Sequence, residues 1–294
     1  MKPVIHSIRC HDGRTLRVTE GGDLSGWPIL VHHITPLSGQ LDPLHLRYGQ
    51  DHGIRLIGYD RPGYGGSDRR PGRIVADAAD DATTITDALG ISRFAVWGHS
   101  GGGPHALACA ALLPGRVSAV AASASVAPYG AEGLDWLAGM GDGNVDEFRA
   151  AIAGSDALER FLRPGWLAMQ AGNEELSPEL RTLLEPEDFE LLAGEFGAYL
   201  GSAAKDGMMP GLSGYIDDDL AFVRPWGFGL ENLGLPVSIW HGKRDRFVPH
   251  EHGVWLTDHI TGSELKLFDG ETHLTFLHRR ASEVFDWLVT RSSR

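Results

Sequence analysis

Residues 94–113 read FAVWGHSGGGPHALACAALL, and this stretch decides the fold. Its first four residues are apolar and predict a buried strand, while the small residues from Pro104 onward predict a helix. The G-x-S-x-G pattern between them is typical of a serine on a tight, strained turn with its hydroxyl exposed. Gly98 and Gly102 flank it because strand and helix approach there too closely for side chains. Ser100 is therefore the candidate nucleophile.

Two further strand ends offer the acid and the base that a serine nucleophile needs. Val237–Trp240 reads as a short buried strand, with Asp245 in the loop after it. Glu264–Phe268 reads as the next strand, and His273 follows it. An imidazole can take the serine proton, and a carboxylate can fix the tautomer of that imidazole. Because open parallel sheets place their sites at the carboxyl ends of strands, Ser100 and these two residues are predicted to converge.

Both assignments have rivals. The chain contains 14 histidines, and chain order favours His273. An acid can also follow the strand after the nucleophile helix, but residues 123–128 contain no carboxylate, which favours Asp245. Glu271 lies only two residues from His273, too close for the usual geometry, so we interpret it as a surface residue.

Taken together, these motifs resemble the α/β-hydrolase superfamily, whose members carry serine, acid and histidine in this order. Residues 60–67 read DRPGYGGS and match the D-x-x-G-x-G-x-S turn of that superfamily, which is structural in relatives. The resemblance covers residues 1–129 and 233–294. It implies an α/β-hydrolase fold, a mostly parallel twisted sheet flanked by helices.

The resemblance extends to the loop that completes an oxyanion hole. After the apolar strand Ile29–His32, the chain reads His33-Ile34-Thr35-Pro36, where many members have His-Gly-Thr-Pro or His-Gly-x-Pro. It implies that the backbone N–H groups of Gly101 and Thr35 hold the oxyanion. Ile34 stands where the family usually has glycine. Since a β-branched residue resists positive φ, we expect either a different loop path or an altered hole.

The order of predicted elements divides the chain into a core and an insertion. After an N-terminal hairpin over about residues 4–20, strands alternate with helix-length segments, as in a sheet covered on both faces. The strands are predicted near 28–32, 54–59, 93–97, 117–124, 236–240 and 264–268. Residues 1–129 and 233–294 thus form the predicted core domain, and the resemblance implies a helical cap, or lid, over residues 130–232. Its helices are predicted at 145–153, 157–170, 178–184 and 186–203.

The insertion is rich in tryptophan and methionine, which favours an apolar substrate pocket between it and the nucleophile. The tentative substrate-binding residues are Ile34, His99, Trp136, Trp166, Met208 and Trp226. Most large apolar residues of the insertion are expected in its own core. The run Asp217-Asp218-Asp219 is interpreted as a solvated loop or helix cap, because consecutive aspartates point in different directions and do not form a metal site.

Composition limits the partners. The formal net charge of −13 argues against nucleic acid, which requires a basic surface. Cys10 and Cys109 are expected to be free and buried. The N-terminus lacks the apolar region of a signal peptide, and no run of about 18 apolar residues occurs. The expectation is a cytoplasmic enzyme, monomer or homodimer, with a small-molecule substrate, no membrane span, and no metal or organic cofactor.

The predicted activity is that of a serine esterase (EC 3.1.1), cleaving a carboxylic ester, thioester or lactone of a small, largely apolar substrate through an acyl-enzyme. Three alternatives remain open. One is a proline iminopeptidase-like aminopeptidase, in which Glu174, Glu175, Glu187 and Glu195 are candidate ligands for the substrate amine. Another is a carbon–carbon bond hydrolase with the same triad. The last is a non-catalytic ligand-binding homologue, which only Ile34 favours.

Overall fold

A computed structural model describes residues 2–172, 175–231 and 233–292. Within these ranges, one sheet of eight strands has the order β1-β2-β4-β3-β5-β6-β7-β8. The strands are β1 (Val4–Arg9), β2 (Thr15–Gly22), β3 (Trp27–His32), β4 (Ile54–Tyr59), β5 (Phe94–His99), β6 (Val117–Ser123), β7 (Val237–Gly242) and β8 (Glu264–Phe268). Strand β2 runs antiparallel to both of its neighbours, and the other pairs are parallel. The predicted mostly parallel sheet is confirmed.

Helices cover both faces of this sheet. They are α1 (Pro43–Asp51), α2 (Ala78–Ala88), α3 (Gly102–Leu112), α4 (Asp142–Ala153), α5 (Ser155–Gln170), α6 (Pro178–Arg181), α7 (Pro186–Leu192), α8 (Glu195–Gly207), α9 (Ser213–Phe222), α10 (His250–His259) and α11 (His273–Ser292). Alternate residues of a strand point to opposite faces. Ile29 accordingly packs in one buried cluster with Phe285 of α11, and Leu30 packs in another with Leu107 of α3. The strands are therefore apolar on both sides.

The strand register brings the carboxyl ends of the central strands to one edge. Gly98 of β5 lies opposite His32 of β3 and Ala122 of β6. Gly242 of β7 lies opposite Phe268 of β8. The loops after these strands carry the predicted site residues, so the sheet delivers those residues to a common edge.

The described residues between β6 and β7 form helices α4 to α9 and contribute no strand to the sheet. The predicted helix over 186–203 is in fact two helices, α7 and α8, separated by Ala193 and Gly194. The chain turns back so closely there that a Cβ on Gly197 would lie 1.9 Å from the carbonyl oxygen of Leu192. Helix α9 was not predicted from the sequence, although it contacts the candidate site.

The interpretation of the aspartate run as solvated is wrong. Asp217, Asp218 and Asp219 lie on α9, where their exposed fractions are 5%, 0% and 1%. Cys10 and Cys109 are free and buried, as predicted. Among the residues that the structure describes, no helix combines the length and apolar character needed to cross a bilayer.

Candidate active site

Ser100 lies on a strained turn between β5 and α3. Its φ is +55°, and its N–H donates to the carbonyl oxygen of Ser123 over 2.9 Å. A Cβ on Gly98 would lie 2.1 Å from the carbonyl oxygen of Gly102, and one on Gly102 would lie 2.1 Å from that of His32. The close approach predicted for the two glycines is confirmed. Holding a non-glycine residue in this conformation costs about 1–2 kcal/mol, which indicates a turn imposed by its surroundings.

His273 and Asp245 form a buried pair. The Nδ1 atom of His273 lies 2.7 Å from Oδ2 of Asp245, and both side chains are essentially inaccessible to solvent. The other carboxylate oxygen, Oδ1, accepts the backbone N–H groups of Phe247 and Val248 over 2.9 and 2.8 Å. An ionised carboxylate only accepts, so Nδ1 carries the imidazole proton. Within the described residues Nε2 of His273 has no hydrogen-bond partner, so this nitrogen can accept a proton.

Two rings hold the imidazole of His273. Phe247 stacks on it at 4.5 Å between ring centroids, with an interplanar angle of 19°. His99, which precedes Ser100, lies on it at 4.8 Å. Burial, and then the neighbouring imidazole of His273, hold the pKa of His99 well below its usual value, so His99 is neutral. His273, the candidate base, thus lies beside the turn that carries Ser100. Phe247 is a contact that the sequence did not predict.

The rivals for acid and base have other hydrogen-bond partners, although Nε2 of His241 also lies 3.6 Å from Oδ2 of Asp245. His241 uses its Nε2 to contact the carbonyl oxygen of Val248 at 2.8 Å, and burial lowers its pKa. Glu271 is 4% exposed, so its interpretation as a surface residue is wrong. It accepts from Nε of Arg280 over 2.8 Å and lies 3.6 Å from Arg279, because a buried carboxylate needs a charged partner.

The loop after β3 meets Gly101. A Cβ on Gly101 would lie 2.3 Å from Oγ1 of Thr35, so the two residues predicted to hold an oxyanion are adjacent. Ser100 and Ala124 are the non-glycine residues with positive φ in the described ranges, so Ile34 avoids the left-handed region. The carbonyl oxygen of Ile34 accepts the N–H of Leu37 over 2.8 Å. The loop therefore accommodates isoleucine without the strain that a glycine position implies.

Behind this loop lies a buried polar network, and the sequence did not predict it. Asp218 of α9 accepts the hydroxyl of Thr35 over 2.7 Å and that of Tyr64 over 2.8 Å. Its carboxylate also pairs with Nε of Arg61 at 3.2 Å and with Nη2 of Arg73 at 2.6 Å. The insertion and the predicted oxyanion loop therefore share one set of hydrogen bonds.

Charge and burial set the protonation of this network. Burial alone would raise the pKa of Asp218, but the charges of Arg61 and Arg73 outweigh it and hold that pKa well below 3.8. Burial and Arg61 lower the pKa of His105 to about 3, so this imidazole is neutral. His105 donates through Nδ1 to the carbonyl oxygen of Gly101 over 2.8 Å.

Helix α9 also presents apolar and acidic groups. The Cζ atom of Phe222 would lie 3.0 Å from a Cβ on Gly101, so this ring borders the nucleophile turn. Tyr215 donates its hydroxyl to Glu147 of α4 over 2.9 Å. Burial raises the pKa of Glu147 to about 7 and raises that of Asp219 well above its usual value, with the charge of Glu147 adding to the latter. Burial thus favours the protonated form of both carboxyl groups more than solvent does.

The six candidate substrate-binding residues lie in different parts of the structure. Trp136 is 4% exposed, donates to the carbonyl oxygen of Ala127 over 2.7 Å and packs on both Phe148 and His252, which places it between the insertion and the core domain. Trp226 is equally buried and packs on Phe228.

The other four candidates are Trp166, Met208, Ile34 and His99. Trp166 donates to the carbonyl oxygen of Met208 over 3.2 Å. Ile34 and His99 line a common cavity with Tyr199.

Three glutamates of the aminopeptidase alternative, Glu175, Glu187 and Glu195, lie within the described residues. Glu187 accepts from Nη1 of Arg244 over 2.6 Å. Glu175 and Glu195 are exposed, and Glu174 lies outside the described residues.

Comparisons with known proteins agree with this fold. A family model described as alpha/beta hydrolase fold matches residues 28–279. A non-heme chloroperoxidase from Streptomyces lividans is 26% identical to this chain, over 91% of the chain and 92% of the relative. A pimeloyl-[acyl-carrier protein] methyl ester esterase from Nitrosomonas europaea is also 26% identical, over 86% and 88%. A solved thermophilic esterase from Thermogutta terrifontis has the same fold, with a TM-score of 0.71 at 19% identity, over 99% of this chain and all of that one. This chain belongs to the alpha/beta hydrolase fold family.

Proposed function

We propose that this protein is a serine hydrolase that cleaves a carboxylic ester, thioester or lactone of a small, largely apolar substrate through an acyl-enzyme. One observation carries the proposal. Asp245 fixes His273 with its Nε2 free, at the sheet edge where Ser100 is held in a strained turn. A base oriented by a third group beside a nucleophile is the arrangement that activates a serine.

The proposed reaction has two halves. The Oγ of Ser100 attacks the substrate carbonyl carbon and passes its proton to Nε2 of His273. The N–H groups of Gly101 and Thr35 bind the resulting oxyanion. As the tetrahedral intermediate collapses, the bond to the leaving oxygen or sulfur breaks, and His273 returns the proton to that atom. Water then attacks the acyl-enzyme and gives a proton to His273. As the acyl carbon–Oγ bond breaks, His273 returns that proton to Oγ of Ser100 and the acid leaves.

Further features support an apolar ester as substrate. Phe222 borders Gly101, and Phe247 covers His273, so the surroundings of the reacting atoms are aromatic. We assign residues 130–232 as the cap that excludes water from Ser100. Two of the relatives are named esterases, and the third is named a chloroperoxidase. Because these activities differ, the bond cleaved is inferred from the site.

The test is covalent labelling with a fluorophosphonate probe. The wild-type chain is expected to react at Ser100, and the Ser100→Ala variant is expected not to react. Ser25→Ala, which changes an exposed serine, is the matched control and should label like wild type. A folded wild-type chain that resists the probe would refute the proposal and favour the non-catalytic homologue.

Substrate turnover separates the remaining alternatives. We expect p-nitrophenyl butyrate to be hydrolysed faster than proline p-nitroanilide. A preference for the anilide would favour the aminopeptidase and contradict the esterase assignment.

A further inference from the structure

The segment 33–40, which carries the proposed oxyanion donor, is enclosed by the insertion. The N–H of Ser38 donates to the carbonyl oxygen of Ala203 in α8 over 2.9 Å. Tyr199 donates its hydroxyl to the carbonyl oxygen of Gln40 over 3.1 Å. A Cβ on Gly207 would lie 2.6 Å from the carbonyl oxygen of Pro36, so helix and loop are in direct contact. The path of this loop therefore depends on where the insertion sits.

The polar anchor of this contact is Asp218, which has no exposed surface. Its Oδ2 accepts the hydroxyl of Thr35, and both of its carboxylate oxygens contact Nε of Arg61. Arg61 in turn donates to the hydroxyl of Thr35 over 3.0 Å and to the carbonyl oxygen of His33. Residues on both sides of Ile34 are thus tied to a single ion pair between core and insertion.

We propose that Asp218 is a positioning residue that aims the backbone N–H of Thr35 at the oxyanion. Packing of the insertion against the core domain and formation of the oxyanion hole then occur together. This inference rests on the proposed function.

The physical reason is the cost of leaving the anchor incomplete. Without Asp218 the buried guanidinium groups of Arg61 and Arg73 lack their acceptor, and a buried charge without a partner draws in water or moves. Arg61 would then release the carbonyl oxygen of His33, and Thr35 would lose its hydroxyl acceptor. A displacement of about 1 Å at a donor can reduce the rate about 100-fold.

Four variants test the proposal. Asp218→Asn removes the charge with little change of volume. Thr35→Val removes the hydroxyl and leaves the ion pair, whereas Thr35→Ser keeps a hydroxyl. Asp217→Asn is the matched control, because Asp217 is on the same helix and pairs with the half-exposed Arg69 over 2.7 Å.

Two measurements separate positioning from mere stability. Hydrogen–deuterium exchange of the peptide spanning residues 30–41 reports the order of the loop without requiring activity. Turnover of p-nitrophenyl butyrate reports the chemistry. For Asp218→Asn and Thr35→Val we expect about 10-fold faster exchange of this peptide and a 10- to 100-fold lower kcat, with KM changed less than about threefold. Thr35→Ser should recover most of the activity and loop order lost in Thr35→Val, and Asp217→Asn should stay within about threefold of wild type.

Wild-type exchange and wild-type kcat in Thr35→Val would overturn the inference, whether or not Asp218→Asn folds. A change in KM alone, with exchange unaltered, would also overturn it, because this indicates a binding contact and not a positioning one. If the wild-type chain neither labels nor turns over, the proposed function fails. The exchange comparison then still decides whether Asp218 orders the loop.

Discussion

Replacing Asp245 with asparagine should reverse the tautomer of His273. Oδ1 of Asp245 faces two backbone N–H donors at 2.9 and 2.8 Å. An amide NH2 placed there would leave two buried donors without an acceptor, at a cost of about 1–3 kcal/mol each. The NH2 group is therefore expected to take the Oδ2 position and face Nδ1 of His273.

The size of the effect follows from this orientation. An NH2 group donates, so Nδ1 must become the acceptor and Nε2 must carry the proton. A protonated Nε2 cannot receive the proton of Ser100. We expect kcat/KM to fall about 10³- to 10⁴-fold, which corresponds to about 4–5 kcal/mol of transition-state stabilisation. The fold should be little affected, because the carbonyl of the new amide still accepts both backbone N–H groups.

The assay is hydrolysis of p-nitrophenyl butyrate by Asp245→Asn, together with the ¹⁵N shifts of the His273 ring. Asp269→Asn is the matched control, since Asp269 is exposed and pairs with Nζ of Lys243 at 2.7 Å. The control should keep wild-type activity. Activity of Asp245→Asn within about threefold of wild type, or an unchanged tautomer, would refute this reasoning.

Three other substitutions have expected outcomes. Ser100→Gly should abolish turnover and yet raise the free energy of unfolding by about 1 kcal/mol, measured by urea denaturation, because glycine tolerates φ +55°; a lower stability would contradict the strained turn. Gly102→Ala should lower the free energy of unfolding by about 3 kcal/mol or more, because its Cβ would lie 2.1 Å from a β3 carbonyl oxygen. Gly115→Ala, with open space around it, should leave the free energy of unfolding nearly unchanged in the same assay. Glu147 has a folded pKa of about 7, above its usual 4.5, so it contributes stability below pH 4.5 that is lost as pH rises through 7. The Tm of Glu147→Gln relative to that of wild type should rise by roughly 4 °C between pH 5 and 8 in melting scans. Equal pH dependence of the two Tm values would rule out this titration.

The sequence was sufficient for the parts of the site that local patterns encode. A short apolar run followed at once by a polar loop identifies the carboxyl end of a strand, and parallel pairing then gathers such ends. That reasoning predicted the edge where Asp245 and His273 meet and the glycines that flank Ser100. It needed no knowledge of side-chain packing.

The polar network was not predictable in the same way. An aspartate on a solvated helix and one buried against arginines have identical local sequence signals. Asp218 is buried because Arg61 reaches it from 157 residues away in the chain, and this pairing exists only in the folded molecule. Phe222 and Phe247 were missed for a related reason, since apolar residues near loops give no sign of which ring they will touch. At Ile34 the expectation was a different loop path or an altered hole, and the loop keeps Ile34 out of the positive-φ region.

The proposed base is the first residue of α11, a helix of 20 residues that packs along the sheet. Its far end is fastened as well, where Ser292 and Ser118 share a hydrogen bond of 2.7 Å deep in the interior. Because the helix is packed along the sheet and fastened at its end, a small shift of any buried turn along or about the helix axis also moves His273, its first residue. We therefore expect amino-acid changes at the buried residues Val284 or Leu288 to alter the turnover rate, although neither residue is in direct contact with substrate.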